Sequence, residues 1–233
     1  MDQPSPPDEQ PRAPRKPAAT RRRERTQEIL VATRTLFDER GVGDAQIEDI
    51  ARAVGINRAI VYRHFSGKEE LFALTLVGYL DELRGVLAAQ DDPSATPTNR
   101  LSAIVRSFAE YGIQYPAFVD CAQSLMRRTG SELLDEVSED AALRLGRSMA
   151  GCLGLLTQVL SAGNATGEFR IDSPPTLANL LYATALGTLQ LARVGLLVHE
   201  ASPGNPEINL IDHDQAKDYL VLSAVALATY TVA

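Results

Sequence analysis

The chain predicts an all-α fold: an N-terminal three-helix unit holding a helix-turn-helix, followed by a larger helical body. Three observations carry this. Ile47 to Lys68, IEDIARAVGINRAIVYRHFSGK, have the spacing of two short helices around a tight turn, followed by the start of a further helix. Beyond Asp91 the chain reads as helix after helix, with N-cap and proline pairs at Thr96-Pro97 and Ser173-Pro174. No alternating strand pattern of useful length and no internal repeat is present.

Each element follows from local chemistry. The first helix is expected over about residues 22–40, ending at Gly41, with Ile29, Thr33, Leu36 and Phe37 on its inward face. Ile47, Ile50, Ala51 and Val54 fall at i, i+3, i+4, i+7 and make one buried stripe on the second. Gly55 supplies the left-handed backbone of the turn, Ile56 plugs it, and Asn57 caps the third helix. Val61 and Phe65 turn inward there, which leaves Arg58, Ala59, Tyr62, Arg63 and His64 on or near the outer face. Ser66-Gly67-Lys68-Glu69 has the form of a capping box and opens a fourth helix to about Gln90. Gly78 and Gly85 lie inside that helix, where they either allow bending or permit close packing. Pro116 divides a helix ending near Gln114 from a short one through Arg128. A long helix is expected from Ser131 to about Ala162, then a loop over Gly163–Gly167. The last two helices are read as about 174–199 and 212–232, joined by a loop rich in Pro, Gly and Asn.

Charge is distributed unevenly. The formal net charge is −7, but residues 10–70 hold 13 Lys and Arg against 9 Asp and Glu, while the remainder is acidic. The basic part coincides with the helix-turn-helix, as suits a protein with one end on phosphate. Residues 1–20 form a proline-rich tail, read as disordered. Arg21, Arg22, Arg23 and Arg25 after it are either a basic arm for the DNA backbone or minor groove, or a solvated helix start. Cys121 and Cys152 are read as buried thiols, with a redox pair the lesser alternative. The polar, proline-rich start and the absence of a convincing membrane span imply a cytoplasmic protein with no membrane partner.

The quoted residues resemble the DNA-binding signature of TetR-family transcriptional regulators. The likeness rests on Ile50-Ala51, Gly55-Ile56-Asn57, Val61-Tyr62-Arg63-His64-Phe65 and Lys68-Glu69-Glu70-Leu71-Phe72, and spans about residues 29–72. It implies a helix-turn-helix domain over 21–67 and an effector-binding and dimerisation domain over 68–233. It also implies roles. Arg58 and Ala59 are expected on base edges, the first bidentate to guanine and the second against a thymine methyl. Tyr62 and His64 are expected on phosphates, Arg63 on either, and Lys68 on the backbone beside its helix N-terminus. Asn57 caps and contacts a phosphate. Gln46 and Ile60 are also expected on the DNA face, Gln46 standing where the family often has a capping Thr and Ile60 where it often has a polar residue.

The same resemblance implies a homodimer through the last two helices on a palindromic operator, with Ala178, Ala183, Gly187, Ala224 and Ala228 allowing close approach. It further implies a small-molecule effector in the body, for which Phe108, Tyr111, Phe118, Cys121, Leu125, Met149 and Tyr182 are candidate lining residues. Few charges face inward there, so a largely apolar effector and a repressor are expected. The alternative is a DNA-binding regulator or architectural protein with no effector. His64, His199 and His213 stand at no metal-ligand spacing, no cofactor motif is present, and no catalytic cluster can be assembled. The chain is therefore not read as an enzyme.

Overall fold

The computed structural model describes residues 17–230. The disorder expected for residues 1–16 lies outside the described residues. Helix α1 (Ala18–Arg40) begins within the stretch read as tail, directly after Pro17. Arg21, Arg22, Arg23 and Arg25 are thus helical, so no extended basic arm forms from them.

Helices α2 (Ile47–Val54) and α3 (Arg58–His64) enclose the predicted turn. Gly55 has φ +72°, the left-handed backbone that glycine adopts without strain. Asn57 caps α3, its Oδ1 accepting from the Ile60 amide at 3.1 Å. Ile29 and Phe37 of α1, Ile50 and Ala51 of α2, and Val61 and Phe65 are buried together. Phe37 meets Phe72 edge-on, with ring centroids 5.2 Å apart. The small domain and the body therefore share one continuous core.

Helix α4 (Lys68–Gln90) is the spine of the body and packs on α5 (Pro97–Gln114), α6 (Pro116–Met126) and α8 (Glu139–Thr166). The capping box expected at Ser66 does not form: Gly67 precedes α4 without a side-chain cap, and Glu69 turns to Arg128. The next carboxylate, Glu70, is buried and accepts from the Ser66 amide at 2.5 Å and from the Ser138 hydroxyl. Gly78 and Gly85 have open space where a side chain would stand, so close packing does not account for them.

Two expected elements are subdivided. The long helix begins at α7 (Gly130–Glu136), capped by a reciprocal Thr129–Glu132 box, and breaks at Val137-Ser138 before α8. Ser138 accepts from the Ala141 amide, with Glu139 and Asp140 in the first turn to match the helix dipole. The loop expected over 163–167 is helical as far as Thr166. Gly163 lies under the Phe169 ring there, and Gly167 ends the helix.

Helix α9 (Pro174–Val194) is also shorter than expected. The connection to α10 (His213–Thr229) is not a loop but an antiparallel hairpin of β1 (Leu196–Ser202) and β2 (Asn205–Leu210). Gly204, with φ +79°, follows Pro203 in the turn, the residue order a tight turn with a left-handed third position requires. The described residues thus form ten helices and one hairpin, and the all-α assignment holds for the architecture. Among them no helix is long and apolar enough to cross a membrane.

Candidate functional site

The outer surface of α3 is open. Asn57, Arg58, Ala59, Tyr62 and Arg63 are exposed, Ile60 and His64 half-buried, and Gln46 and Lys68 exposed at the starts of α2 and α4. Arg58 lies over the Tyr62 ring, 5.3 Å from its centroid, and donates to Glu48 at 2.6 Å. That pair is solvated at both ends and is a weak tether. Lys68 rests 5.0 Å from the Phe72 ring centroid. Gln46 makes no side-chain cap for α2. His64 bonds Thr26 of α1 through Nδ1 at 2.9 Å, tying the end of α3 to the support helix. Burial, and then the nearby charges of Arg22, Arg63 and Arg25, hold its pKa below the usual value of 6.5. The first turns of α1 and the end of α3 therefore form one basic cluster.

A polar seam joins this domain to the body. Arg34 of α1 pairs with Glu82 at 2.6 Å and lies over Tyr79, 4.3 Å from the ring centroid. Tyr79 donates to Asp38 of α1 at 2.6 Å. A second junction holds the start of α4. Arg128 pairs with Glu69 at 2.7 Å and also with Glu136, while Ser66 Oγ donates to the Glu136 carbonyl at 3.2 Å. Burial opposes the charge on Glu70, yet hydrogen bonds from Ser138 and Ser66 hold its pKa below the carboxylate norm. Arg128, Glu136 and Ser138 carry no local sequence signal for this junction, because their meeting depends on the placement of α7.

Two apolar spaces lie in the body. An inner cavity of about 50 Å³ is bounded by residues including Leu83, Phe108, Met149, Cys152, Leu156 and Tyr182. A wider groove of about 390 Å³ opens over Leu76, Leu125, Leu133, Val137, Met149 and Tyr182, with Arg128 at its edge. Met149 and Tyr182 border both. Of the seven residues expected around an effector, Phe108, Leu125, Met149 and Tyr182 line these spaces. Tyr111, Phe118 and Cys121 line neither of the two. They sit in a buried aromatic cluster against Tyr79, with Phe118 wedged beside Phe108 at 5.8 Å between centroids. Both thiols are free and buried; desolvation drives Cys121 well above its ordinary pKa and pushes Cys152 up to about 11. Neither has the character of a reactive thiolate.

An exposed, arginine-bearing helix after a left-handed glycine turn, on a helical body with its own apolar spaces, defines the class of helix-turn-helix transcriptional regulators. Residues 29–75 match the model for bacterial regulatory proteins of the tetR family. The chain is 32% identical over 158 residues to the HTH-type transcriptional repressor KstR2 of Rhodococcus jostii, covering 66% of this chain and 72% of that protein. The chain belongs to the TetR family and is a DNA-binding transcriptional regulator, not an enzyme. Its fold is similar to that of RolR in complex with resorcinol (TM-score 0.65, 15% identity, 90% of each chain). It is also similar to FadR of Bacillus subtilis in complex with stearoyl-CoA (TM-score 0.60, 14% identity, 86% of this chain and 98% of that one).

Proposed function

We propose that the chain is a ligand-responsive dimeric repressor whose α3 reads a palindromic operator and whose effector is a largely apolar small molecule. For the DNA face the supporting observation is the open side of α3. Arg58 and Ala59 at its start meet base edges; Tyr62, Arg63 and Lys68 meet phosphates, with Asn57 adding a contact from the cap. His64, tied to Thr26, serves first to orient α3 and faces phosphate only through its remaining edge. The arginines in the first turns of α1 oppose that helix's own dipole, a cost that a neighbouring phosphate offsets.

The groove beside α7 carries the effector reading. Its volume lies within the ~300–1,000 Å³ typical of small-molecule sites, and its rim includes Arg128, which grips the first turn of α4. A molecule that seats there and displaces Met149 or Tyr182 gains the inner cavity as well. Because Arg128 and Ser138 hold the same turn of α4 that follows α3, movement of α7 shifts the reading helix. Such a ligand releases DNA only in proportion to its preference for the shifted state. The smallness of the inner cavity favours the alternative, a regulator with no effector, if Met149 and Tyr182 do not move. Dimerisation is assigned to α9 and α10. Ala178, Ala224 and Ala228 are buried within the subunit, but Ala183 and Gly187 lie exposed on the α9 stripe that continues through Leu191 and Val194.

The test is direct. Purified protein bound to a labelled operator is titrated with apolar compounds of graded length, with Met149→Trp as a groove-filling variant. Release of DNA by some of them, blunted in the variant, supports the reading; a response to none of them, with the groove unoccupied throughout, leaves the effector-free alternative.

A further inference from the structure

The hairpin between α9 and α10 presents an apolar face that its own subunit leaves bare. Register pairs Leu196 with Leu210 and Val198 with Ile208, so these four side chains share one side of the ribbon. They are 44%, 78%, 71% and 62% exposed respectively. The opposite side carries Leu197, His199, Glu207 and Asn209, and of these Leu197 alone anchors the ribbon, in a small cluster with Ala192, Ile211 and Ala216. A two-stranded hairpin is marginal in water unless its apolar face packs on something. Residues 1–16 cannot supply that cover, since Met1 and Ala13 are their apolar side chains besides prolines.

The bare face is not isolated. Ten of the seventeen exposed large apolar side chains among the described residues lie on α9, the hairpin or α10, and Tyr230 directly follows α10. The α9 stripe leads through Val194 directly into Leu196, and Leu210 stands three residues before α10, which exposes Tyr219 and Leu222. This continuity identifies the occupant. We infer that the hairpin is a dimerisation arm whose Leu196, Val198, Ile208 and Leu210 face lies against a second copy of this chain, extending the helical interface beyond α9 and α10. The inference rests on the dimer assigned above and adds a segment to it. In a two-fold pair each arm contributes the same face, so the contact is made twice.

Sedimentation equilibrium of the full chain tests this with two variants. Val198→Lys combined with Ile208→Glu replaces the apolar pair by opposite charges directly across the strands, which preserves the hairpin. Leu222→Glu disrupts the helical stripe instead. The arm predicts that the charged pair weakens dimerisation by about tenfold or more while monomer helicity is unchanged. In a second readout, a polarity-sensitive dye at Val198→Cys shifts to the blue and resists quenching by iodide as the dimer forms, whereas the same dye at Asn209→Cys does not; the natural thiols are buried and stay unlabelled. Wild-type dimer affinity in the charged pair, with the dye at 198 still quenched, overturns the arm. If Leu222→Glu dissociates the protein at the same time, the helical dimer stands without it. A wild-type protein that is monomeric at every concentration overturns both.

Discussion

Arg58 shows how much of the proposed DNA face turns on single side chains. Its guanidinium is held over Tyr62 and against Glu48, pre-positioned near the start of α3 by contacts too solvated to compete with a guanine edge. Among the described residues Lys68 has no carboxylate partner and rests on the Phe72 ring, which leaves its charge free for the proposed phosphate contact. Lys68→Ala should weaken binding to operator and random DNA alike and lower the slope of log affinity against log salt by about one; an unchanged slope rules out the contact. His64 supplies a pH dependence. Its folded pKa lies below the ordinary 6.5, so the unfolded chain takes up a proton more readily. The α1–α3 contact is therefore fully stabilising above about pH 6.5 and loses stability as pH falls below it. Melting midpoints measured from pH 7.5 to 5.5 should fall less in His64→Gln than in the parent.

At the level of elements, glycines separate flexibility from packing. A side-chain carbon on Gly163 would stand 1.9 Å from the Phe169 ring, which is itself buried and cannot swing away. Gly163→Ala should cost about 1–3 kcal/mol, as overpacking does, read from denaturant midpoints. Gly78 meets nothing within 4 Å, so Gly78→Ala should stabilise α4 by about 0.5–1 kcal/mol, and a weaker ligand response with intact DNA binding would mark α4 bending as part of the switch. Elements with strong local signals were legible in the sequence: the caps at Asn57, Thr96 and Ser173 and the turn at Gly55 depend on neighbours a few residues away. Elements decided by distant partners were not. The break at Val137-Ser138 was missed although Ser138 followed by Glu139 and Asp140 is a helix start, because the apolar period continues across it. The Ser66 box lost to Glu70, whose carboxylate is claimed by Ser138 from across the fold. The hairpin was hidden because consecutive Leu196, Leu197 and Val198 blur its alternation, leaving Pro203-Gly204 as the one clear sign.

At the scale of the whole molecule, α4 is the joining element. Its first turn is gripped by Arg128 and Ser138 from the α6–α8 side, and its middle by Asp38 and Arg34 of α1 through Tyr79 and Glu82. The exposed face of α3 was foreseeable, because Val61 within this seven-residue helix and Phe65 at its end both turn inward and fix where the others point. Which aromatics would border a cavity was not, since Tyr111, Phe118 and Phe108 all read as inward and only their packing against Tyr79 separates core from lining. Selection of duplexes from a random pool by the full-length protein, followed by sequencing, tests the central claim most directly. A dimer that reads DNA through α3 enriches an inverted repeat with half-sites about one helical turn or a multiple apart, and Arg58→Ala loses preference at one symmetric position, at a cost of about 1–3 kcal/mol. Enrichment of no sequence, or an identical motif for Arg58→Ala and the parent, would contradict it.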